Sequence, residues 1–446
     1  MSKVSNQLTM LFSSEISLKD FSFSQLIIAV KELFDTEGVP GFVKALMTLI
    51  EHRVIKSGVA CPHCESVKFH LHGKAEKQLK TSIGIVYLTL ARVICLECKK
   101  TYSPMMKLFD VDQYSRKSRE FEKLVLETIT QQSFRRASKN LNDTVGVITP
   151  HTTLHNWFHK TDSINMNVNK KVDFLIADGT GYKKHYDDKN SNRGEIRVVI
   201  GYNNNGDVIP FGAWSRASWK NIGKYLKSAN HPSPDKIKFN PIAKTLITDG
   251  EIELVDSLKK LAHNHQRCLF HMTHELVPLL PYRDYTSKDT AVKLSEELNS
   301  LLYIDLPEVN TDPLKSMEDR LKIELELKKM TSAIDQFINE LKLRGYHKAK
   351  VFVENSKSQL FTYITNWIKT GISNPKVTSL VERTMREIKR RIKKIGFAWS
   401  EKGAEKMTRL VLLQMSTTKQ HWDNHWINKT GTHADIKLSF LGVKMI

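Results

Sequence analysis

The chain has 446 residues, 40% of them hydrophobic, and 68 Lys and Arg against 48 Asp and Glu give it a formal charge of +20. That length gives room for about three domains with ample core. The charge excess points to a polyanionic partner, whereas the lack of any uninterrupted apolar stretch near ~20 residues excludes a membrane-spanning helix. Five cysteines are too few for a disulfide scaffold, and the N-terminus has no charged leader followed by a long apolar block. The expectation is a cytoplasmic protein without a membrane partner.

Residues 1–57 are expected to be helical. Phe21, Leu26, Ile27, Val30, Leu33 and Phe34 fall roughly at helical spacing, and Phe42 to Ile50 forms a second candidate. This region carries no recognisable chemistry and is expected to pack on itself or on a second copy. Residues 58–104 hold Cys61-Pro62-His63-Cys64 and Cys95-Leu96-Glu97-Cys98. Two sulfurs separated by two residues can grip one tetrahedral zinc from a tight knuckle, and a second knuckle completes the site. The gap between the knuckles is long, and Ile83 to Leu90 reads as strand leading to the second of them. Four reduced structural thiols without metal are the plainer alternative, and His63, His70 and His72 could substitute as ligands. Lys68, Lys74, Lys77, Lys80, Lys99 and Lys100 surround the cysteines and suit contact with DNA, or simply a solvated basic face.

Residues 105–165 contain three short helical signals in the manner of a helix-turn-helix. Phe121, Leu124, Val125 and Ile129 mark the first, Phe134 to Leu141 the second. Thr149-Pro150 signals the start of the third, with Thr149 as cap and Pro150 in the first turn. That last helix would present His151, Thr152 and Asn156 to DNA and put Trp157 and Phe158 in the core; three short helices are also a common linker.

From Val172 the pattern turns to β-runs. Val172 to Gly179 and Lys244 to Gly250 are apolar runs that each end in Asp-Gly, with Asp178 and Asp249 as the carboxylates. Alone, either is an ordinary capped strand end. Together, two carboxylates at the tips of buried strands can converge and hold divalent metal. Between them, Glu195–Tyr202 and Val208–Trp214 flank an Asn203-to-Asp207 hairpin turn, and a helix follows from Trp219 to Ser228. After Asp249 come a helix from about Glu251, with Leu254, Leu258 and Leu261 on one face, and an expected strand from Gln266 to Met272. This is the element order of a ribonuclease H-like mixed-sheet core, and the chain is therefore expected to be α/β. Residues 287–370 read as charged helices, among them Met317 to Lys329 and Ala333 to Leu343.

Such a core completes its metal site from a late helix. At about 100° per residue, Met385, Ile388, Ile392 and Ile395 lie within about 40° of Val381 and form a buried stripe on a helix from Val377 to Ile395. Glu382 then falls on the edge of the stripe, beside Arg386, Lys389 and Lys393, while Glu387 falls on the opposite flank. A metal-binding carboxylate belongs at the core boundary with cations next to it for phosphate. The ordinary alternative is a salt-bridged amphipathic helix, because Glu382 and Arg386 are an i,i+4 pair.

These residues resemble a transposase of the DDE type, akin to prokaryotic insertion-sequence relatives of the Mutator-like elements, over roughly residues 58–415. Members of that family carry a first Asp on the opening strand, a second on the fourth, a Cys-x-x-His on the next strand, a helical insertion and a late Glu. Here Asp178, Asp249, Cys268-Leu269-Phe270-His271, residues 287–370 and Glu382 match that series. The resemblance implies a catalytic core over 166–415 with an insertion at about 287–370, a zinc ribbon, a helix-turn-helix, and a tail at 416–446. It also implies Mg²⁺ or Mn²⁺ on Asp178, Asp249 and Glu382, with Zn²⁺ on the four paired cysteines. Cys268 and His271 would assist, although a buried strand Cys and a satisfied core His are equally open readings; two ligands alone are too few for a zinc site. Arg386, Lys389 and Lys393 would meet phosphates. The partners implied are double-stranded DNA, as element ends and target, and a homodimer or larger assembly when ends pair. The activity implied is cleavage at the element end followed by strand transfer. A sequence-specific DNA-binding protein with an inactive core, and a nuclease or resolvase without joining, are the alternatives.

Overall fold

The computed structural model describes residues 38–58, 60–108, 114–161, 166, 170–185, 193–230, 240–281, 285–308, 312–372, 375–376, 379–395, 398–415 and 419–430. The helical run around Phe21 to Phe34, the position of Val377 and residues 431–446 of the tail lie outside them. The fold is mixed α/β, and contacts divide it into two compact units. One runs up to Lys160 and takes in the chain from Trp426; the other is Thr161–His425. No helix among the described residues is long and apolar enough to cross a membrane.

The first unit opens with α1 (Val39–Ser57). A long hairpin follows, β1 (Phe69–Thr81) against β2 (Gly84–Cys95), with β3 (Thr101–Tyr102) paired to β2. The expectation that the N-terminal helix packs on itself or a second copy is corrected for the described part. Val43, Met47, Ile50 and Val54 of α1 cover Leu79, Val86, Leu88 and Leu90 of the hairpin. The reason is the alternation along β2, which leaves an apolar face that a neighbouring helix must cover. Buried Glu51 Oε1 also accepts a hydrogen bond from the Ala91 backbone N–H at 2.7 Å, fixing the helix to the strand.

After the short α2 (Pro104–Leu108) come α3 (Arg119–Gln131), α4 (Phe134–Val145) and α5 (His151–Lys160). Phe121, Val125, Ile129, Ala137, Leu141, Leu154 and Phe158 are buried at helical spacing and make their shared core. Ser133 caps α4 by accepting from Arg136 N–H, and Gly146 ends it in the left-handed region. Thr149 does not cap α5. The Pro150 carbonyl accepts the first helical bond, from Leu154 N–H, so Pro150 precedes the helix instead of entering its first turn. The Thr149 hydroxyl instead accepts from Lys80 Nζ at 3.0 Å, and Lys80 also donates to the Ile148 carbonyl at 2.6 Å. Lys80 is thus tied to the protein and is no open cation for DNA; desolvation, then the nearby Arg116, lowers its pKa.

The second unit is built on a five-stranded sheet in the order β6-β5-β4-β7-β8. These are β4 (Val172–Lys183), β5 (Arg193–Tyr202), β6 (Val208–Trp214), β7 (Ala243–Thr248) and β8 (Ala262–Arg267). β4, β5 and β6 run antiparallel, whereas β7 joins β4 in parallel and β8 joins β7 in parallel. One face is covered by α6 (Trp219–Ala229) and α7 (Ile252–Leu258). Trp219, Ile222, Leu226, Leu254 and Leu258 pack there on Leu175, Ala177, Val199, Phe211 and Leu246. The alternation of strand side chains leaves a second apolar face. There α13 (Ser379–Lys389) contacts β4, and α14 (Glu401–Gln414) contacts β5 and β6.

The helices α8 (Leu269–Leu276), α9 (Tyr285–Leu302), α10 (Pro313–Leu343), α11 (His347–Leu360) and α12 (Thr362–Thr370) intervene and share a separate core. Two segments differ from the sequence expectations. The run Met317 to Lys329 and the run Ala333 to Leu343 are one helix, α10, since no Gly or Pro interrupts them. The expected strand from Gln266 to Met272 ends at Arg267, and α8 begins at Leu269. Leu269, Met272 and Leu276 are buried in the helical core at i, i+3 and i+7, a helical period that a short apolar run conceals.

Candidate active site and metal centre

In the first unit the knuckles at the base of the hairpin bring four sulfurs together. Sγ of Cys61 is 3.6 Å from that of Cys98, and Sγ of Cys64 is 3.5 Å from that of Cys95. A tetrahedron with zinc–sulfur bonds of about 2.3 Å has edges of roughly 3.7 Å, so the four could hold a metal such as zinc. The hairpin makes this possible across the long sequence gap, because Phe69 pairs with Cys95 and returns the chain to its start. The thiols divide the charge unequally. Cys95 is drawn down to about 6, first by the backbone N–H of Cys98 and then, against desolvation, by that of Glu97. At Cys64 the Ser66 N–H favours the thiolate, but desolvation and the three neighbouring sulfurs prevail and push it up to about 12.

On α5, His151, Thr152, His155 and Asn156 are exposed, while Leu154 and Phe158 face inward. Trp157 is half-buried, edge-on to Phe121 with ring centroids 6.2 Å apart.

In the second unit the register of the parallel strands sets the carboxylates. Ile176 of β4 is the partner of Ile247 of β7, so Asp178 and Asp249 each stand two residues beyond that pair, side by side. The expectation that both close their strands is corrected for Asp178. β4 continues to Lys183 because its other edge stays paired with β5, where Asp178 faces Val198. Only the parallel pairing stops, which opens a notch at this point. Asp178 Oδ1 accepts from Gly179 N–H at 2.6 Å, and Asp249 Oδ1 accepts from Glu251 N–H at 3.0 Å. Burial raises the pKa of Asp178, and the charge of Asp249 adds to this against the Gly179 N–H, Lys389 and His271.

Cys268 and His271 come from the start of α8. Cys268 N–H donates to the Thr248 carbonyl at 2.8 Å, so β7 itself fixes the start of α8 next to Asp249. The Cys-x-x-His element is therefore on a helix N-terminus, one turn long, and not on a strand. Cys268 is buried and His271 half-buried. The neighbouring Cys268 side chain, followed by the charges of Asp249 and Glu275, raises His271 to about 9 in spite of desolvation.

Glu382 reaches the same place from α13. Its carboxylate, the Cys268 sulfur and a His271 ring nitrogen all lie within 4.8 Å of one another. Asp178, Asp249 and Glu382 do not form such a group. Met385, Ile388 and Ile392 are buried, and Arg386, Lys389 and Lys393 are exposed. Glu387 is paired with Arg390 at 2.9 Å. The helix changes to a π-helical turn at Arg390–Lys394, a break in the uniform 100° phase that brings Arg391 into the core over the Trp399 ring.

Arg267 and Glu275 are the residues that sequence reading passed over. Arg267 is buried at the end of β8, bonded to Glu275 at 2.8 Å and stacked over Phe352. With Asp249, Gly250, Asn355 and Gln359 they line a cleft of about 460 Å³. Gly250 has φ +91°, and a Cβ there would overlap the Arg267 guanidinium. Little signal was available: β8 reads Ala262-His263-Asn264-His265-Gln266-Arg267, a polar run with two exposed positions, in which a buried Arg does not stand out. Compared with known proteins, the chain matches no family model and no curated protein.

Proposed function

We propose that this chain is a DNA transposase of the DDE type, with a ribonuclease H-like core in the second unit and DNA-binding elements in the first. The observation that carries the reading is the pair Asp178 and Asp249 where the parallel pairing of β4 and β7 ends, with Glu382 and Lys389 brought near them by one late helix. Two of these carboxylates keep an oxygen without a hydrogen bond among the described residues, Oδ2 of Asp178 and of Asp249. An all-oxygen donor set suits Mg²⁺ or Mn²⁺. Bound by Asp178, Asp249 and Glu382, such an ion would polarise the phosphate and activate the attacking oxygen.

The chain's own groups prepare that chemistry. Asp178 and Asp249 are rigidly placed by the sheet and by their turn hydrogen bonds. Lys389 and Arg386 offset phosphate charge, and His271 stands near the carboxylates. The +20 charge favours DNA over any neutral substrate. In the first unit the four cysteines hold zinc, which rigidifies the hairpin, and α5 presents His151, Thr152 and Asn156 to base edges as the last helix of a helix-turn-helix. The protein acts in the cytoplasm, and pairing two ends requires a dimer or larger assembly.

Incubation with labelled element ends, target DNA and Mg²⁺ tests this reading. Joined products support it. Cut but unjoined DNA would assign a nuclease or resolvase, and bound, intact DNA a binding protein with an inactive core.

A further inference from the structure

Cys268 and His271 are only two ligands, too few for a separate site; Glu382 supplies a third. The three ligand atoms lie within 4.8 Å of one another, and tetrahedral zinc would set sulfur, nitrogen and oxygen roughly 3.3–3.6 Å apart. The difference is at most roughly 1.5 Å, within the reach of side-chain adjustment. The donors come from two anchored elements. Cys268 is held by its N–H to Thr248, and α13 is fixed by its buried Met385 and Ile388.

A second observation points to a ligand here. Nδ1 of His271 is buried and has no hydrogen-bond partner among the described residues, although buried polar atoms are nearly always satisfied. Asp249 and Glu275 add negative potential around the ring, which favours a cation. The donor chemistry then selects among cations: a thiolate and an imidazole suit zinc and its relatives, whereas Mg²⁺ prefers oxygen alone.

We propose that Cys268, His271 and Glu382 form a second zinc-type site, with its fourth position open and with Glu382 shared with the carboxylates Asp178 and Asp249. Glu382 stands with Cys268 and His271 and not with Asp178 and Asp249. A thiolate-preferring ion therefore holds Glu382 away from the Mg²⁺ position and opposes the Mg²⁺-dependent reaction. The consequence for activity rests on the function proposed above; the metal binding itself does not.

The test uses the full chain with its four-cysteine site already filled with zinc. Metal analysis after further Zn²⁺ is expected to give two zinc ions per chain. Co²⁺ added to the same zinc-filled protein is expected to show a thiolate-to-cobalt absorption band. Cys268→Ser and Glu382→Gln should each weaken the second site at least about tenfold while keeping the first, and only Cys268→Ser removes the thiolate band outright. Glu382, half-buried, provides the variant if Cys268→Ser does not fold. Asp178→Asn should keep the second zinc. One zinc per chain in the parent, or a second zinc unchanged in both variants, overturns the proposal. A parent that joins DNA yet binds one zinc sinks this inference alone; a parent with two zincs and no action on DNA sinks the transposase reading alone.

Discussion

In the four-cysteine cluster the sulfurs stand 3.5 and 3.6 Å apart across the two knuckles, whereas Asp178, Asp249 and Glu382 do not gather within 4.8 Å and Glu382 stands with Cys268 and His271. The difference is one of charge. Four thiols can share a few protons, and backbone N–H groups at Cys95 stabilise whatever thiolate forms, so the cluster assembles with little electrostatic cost. Three carboxylates repel one another, and each already prefers water. Their scaffold can be rigid, as the Ile176–Ile247 pairing is, while Glu382 stands with Cys268 and His271. The cysteines are brought together by their hairpin; the three carboxylates are not gathered.

If the proposed function holds, the largest effect should come from removing the carboxylates Asp178, Asp249 and Glu382. Asp178→Asn, Asp249→Asn and Glu382→Gln are each expected to lower Mg²⁺-dependent cleavage and joining by more than about a hundredfold, since even outer-shell partners of metals commonly cost 10–100-fold. DNA binding, measured by gel shift, should persist because the basic surface supplies it. Glu387→Gln is the control: its side chain is committed to Arg390, so it should retain most activity. A dead Glu387→Gln beside an active Glu382→Gln would exchange their roles. Full activity in all three ligand variants would remove the catalytic half of the comparison.

Chelation addresses the other half. If the four cysteines hold zinc as proposed, stripping it should loosen the hairpin and its junction with α3 to α5, since metal binding at structural sites is coupled to folding. The second unit has its own cores and should stay folded. Proteolysis with and without chelator would report this directly: cleavage should concentrate before Lys160, and equal protection throughout would show that the α1 contacts alone hold the hairpin.

The elements that sequence made legible were those whose periodicity decided their type. The hairpin of Glu195–Tyr202 and Val208–Trp214, the helix from Trp219 and the runs ending at Asp178 and Asp249 all show an unambiguous pattern, and the structure has strands and helix there. Cys268 to Met272 misled because an apolar run so short has no period; only the helical core that receives Leu269 and Met272 decides it. The continuation of β4 past Asp178 depends on its pairing with β5, a tertiary fact. Arg267 escaped for the same reason: its partners, Glu275 and Phe352, come from elements whose proximity the order of residues does not announce.

Gly250 connects that missed arginine to the carboxylate site. A Cβ at a φ of +91° would be strained and would also collide with the Arg267 guanidinium. Gly250→Ala is expected to destabilise the second unit by about 2–4 kcal/mol, from the left-handed backbone and from displacement of a buried, paired charge. Thermal unfolding should reveal this loss with no change in zinc content. If Gly250→Ala melts like the parent, Arg267 is free to move, and the notch beside Asp249 is less rigid than the sheet around it.

The smallest effect is the most direct measure of the contrast between the sites. Burial, and then the charge of Asp249, raises the pKa of Asp178 in the folded protein. An acid whose folded pKa lies above its unfolded value costs stability once ionised, so the cost is absent below the unfolded pKa and develops as pH rises through the folded one. At neutral pH without divalent metal, Asp178→Asn should therefore be more stable than the parent, by something on the order of 1 kcal/mol. The gain should vanish in acid, where the parent's carboxyl is also neutral. Mg²⁺ should reverse the order, because it stabilises the parent by binding the folded state and finds one ligand fewer in the variant. At the four-cysteine site the corresponding change, Cys95→Ser, should lower stability with zinc present and gain nothing without it, since no like-charge repulsion is relieved. Melting curves of both variants with and without metal decide the matter. If Asp178→Asn is less stable than the parent at neutral pH in metal-free buffer, the carboxylates are not held apart by repulsion, and the position of Glu382 beside His271 needs another cause.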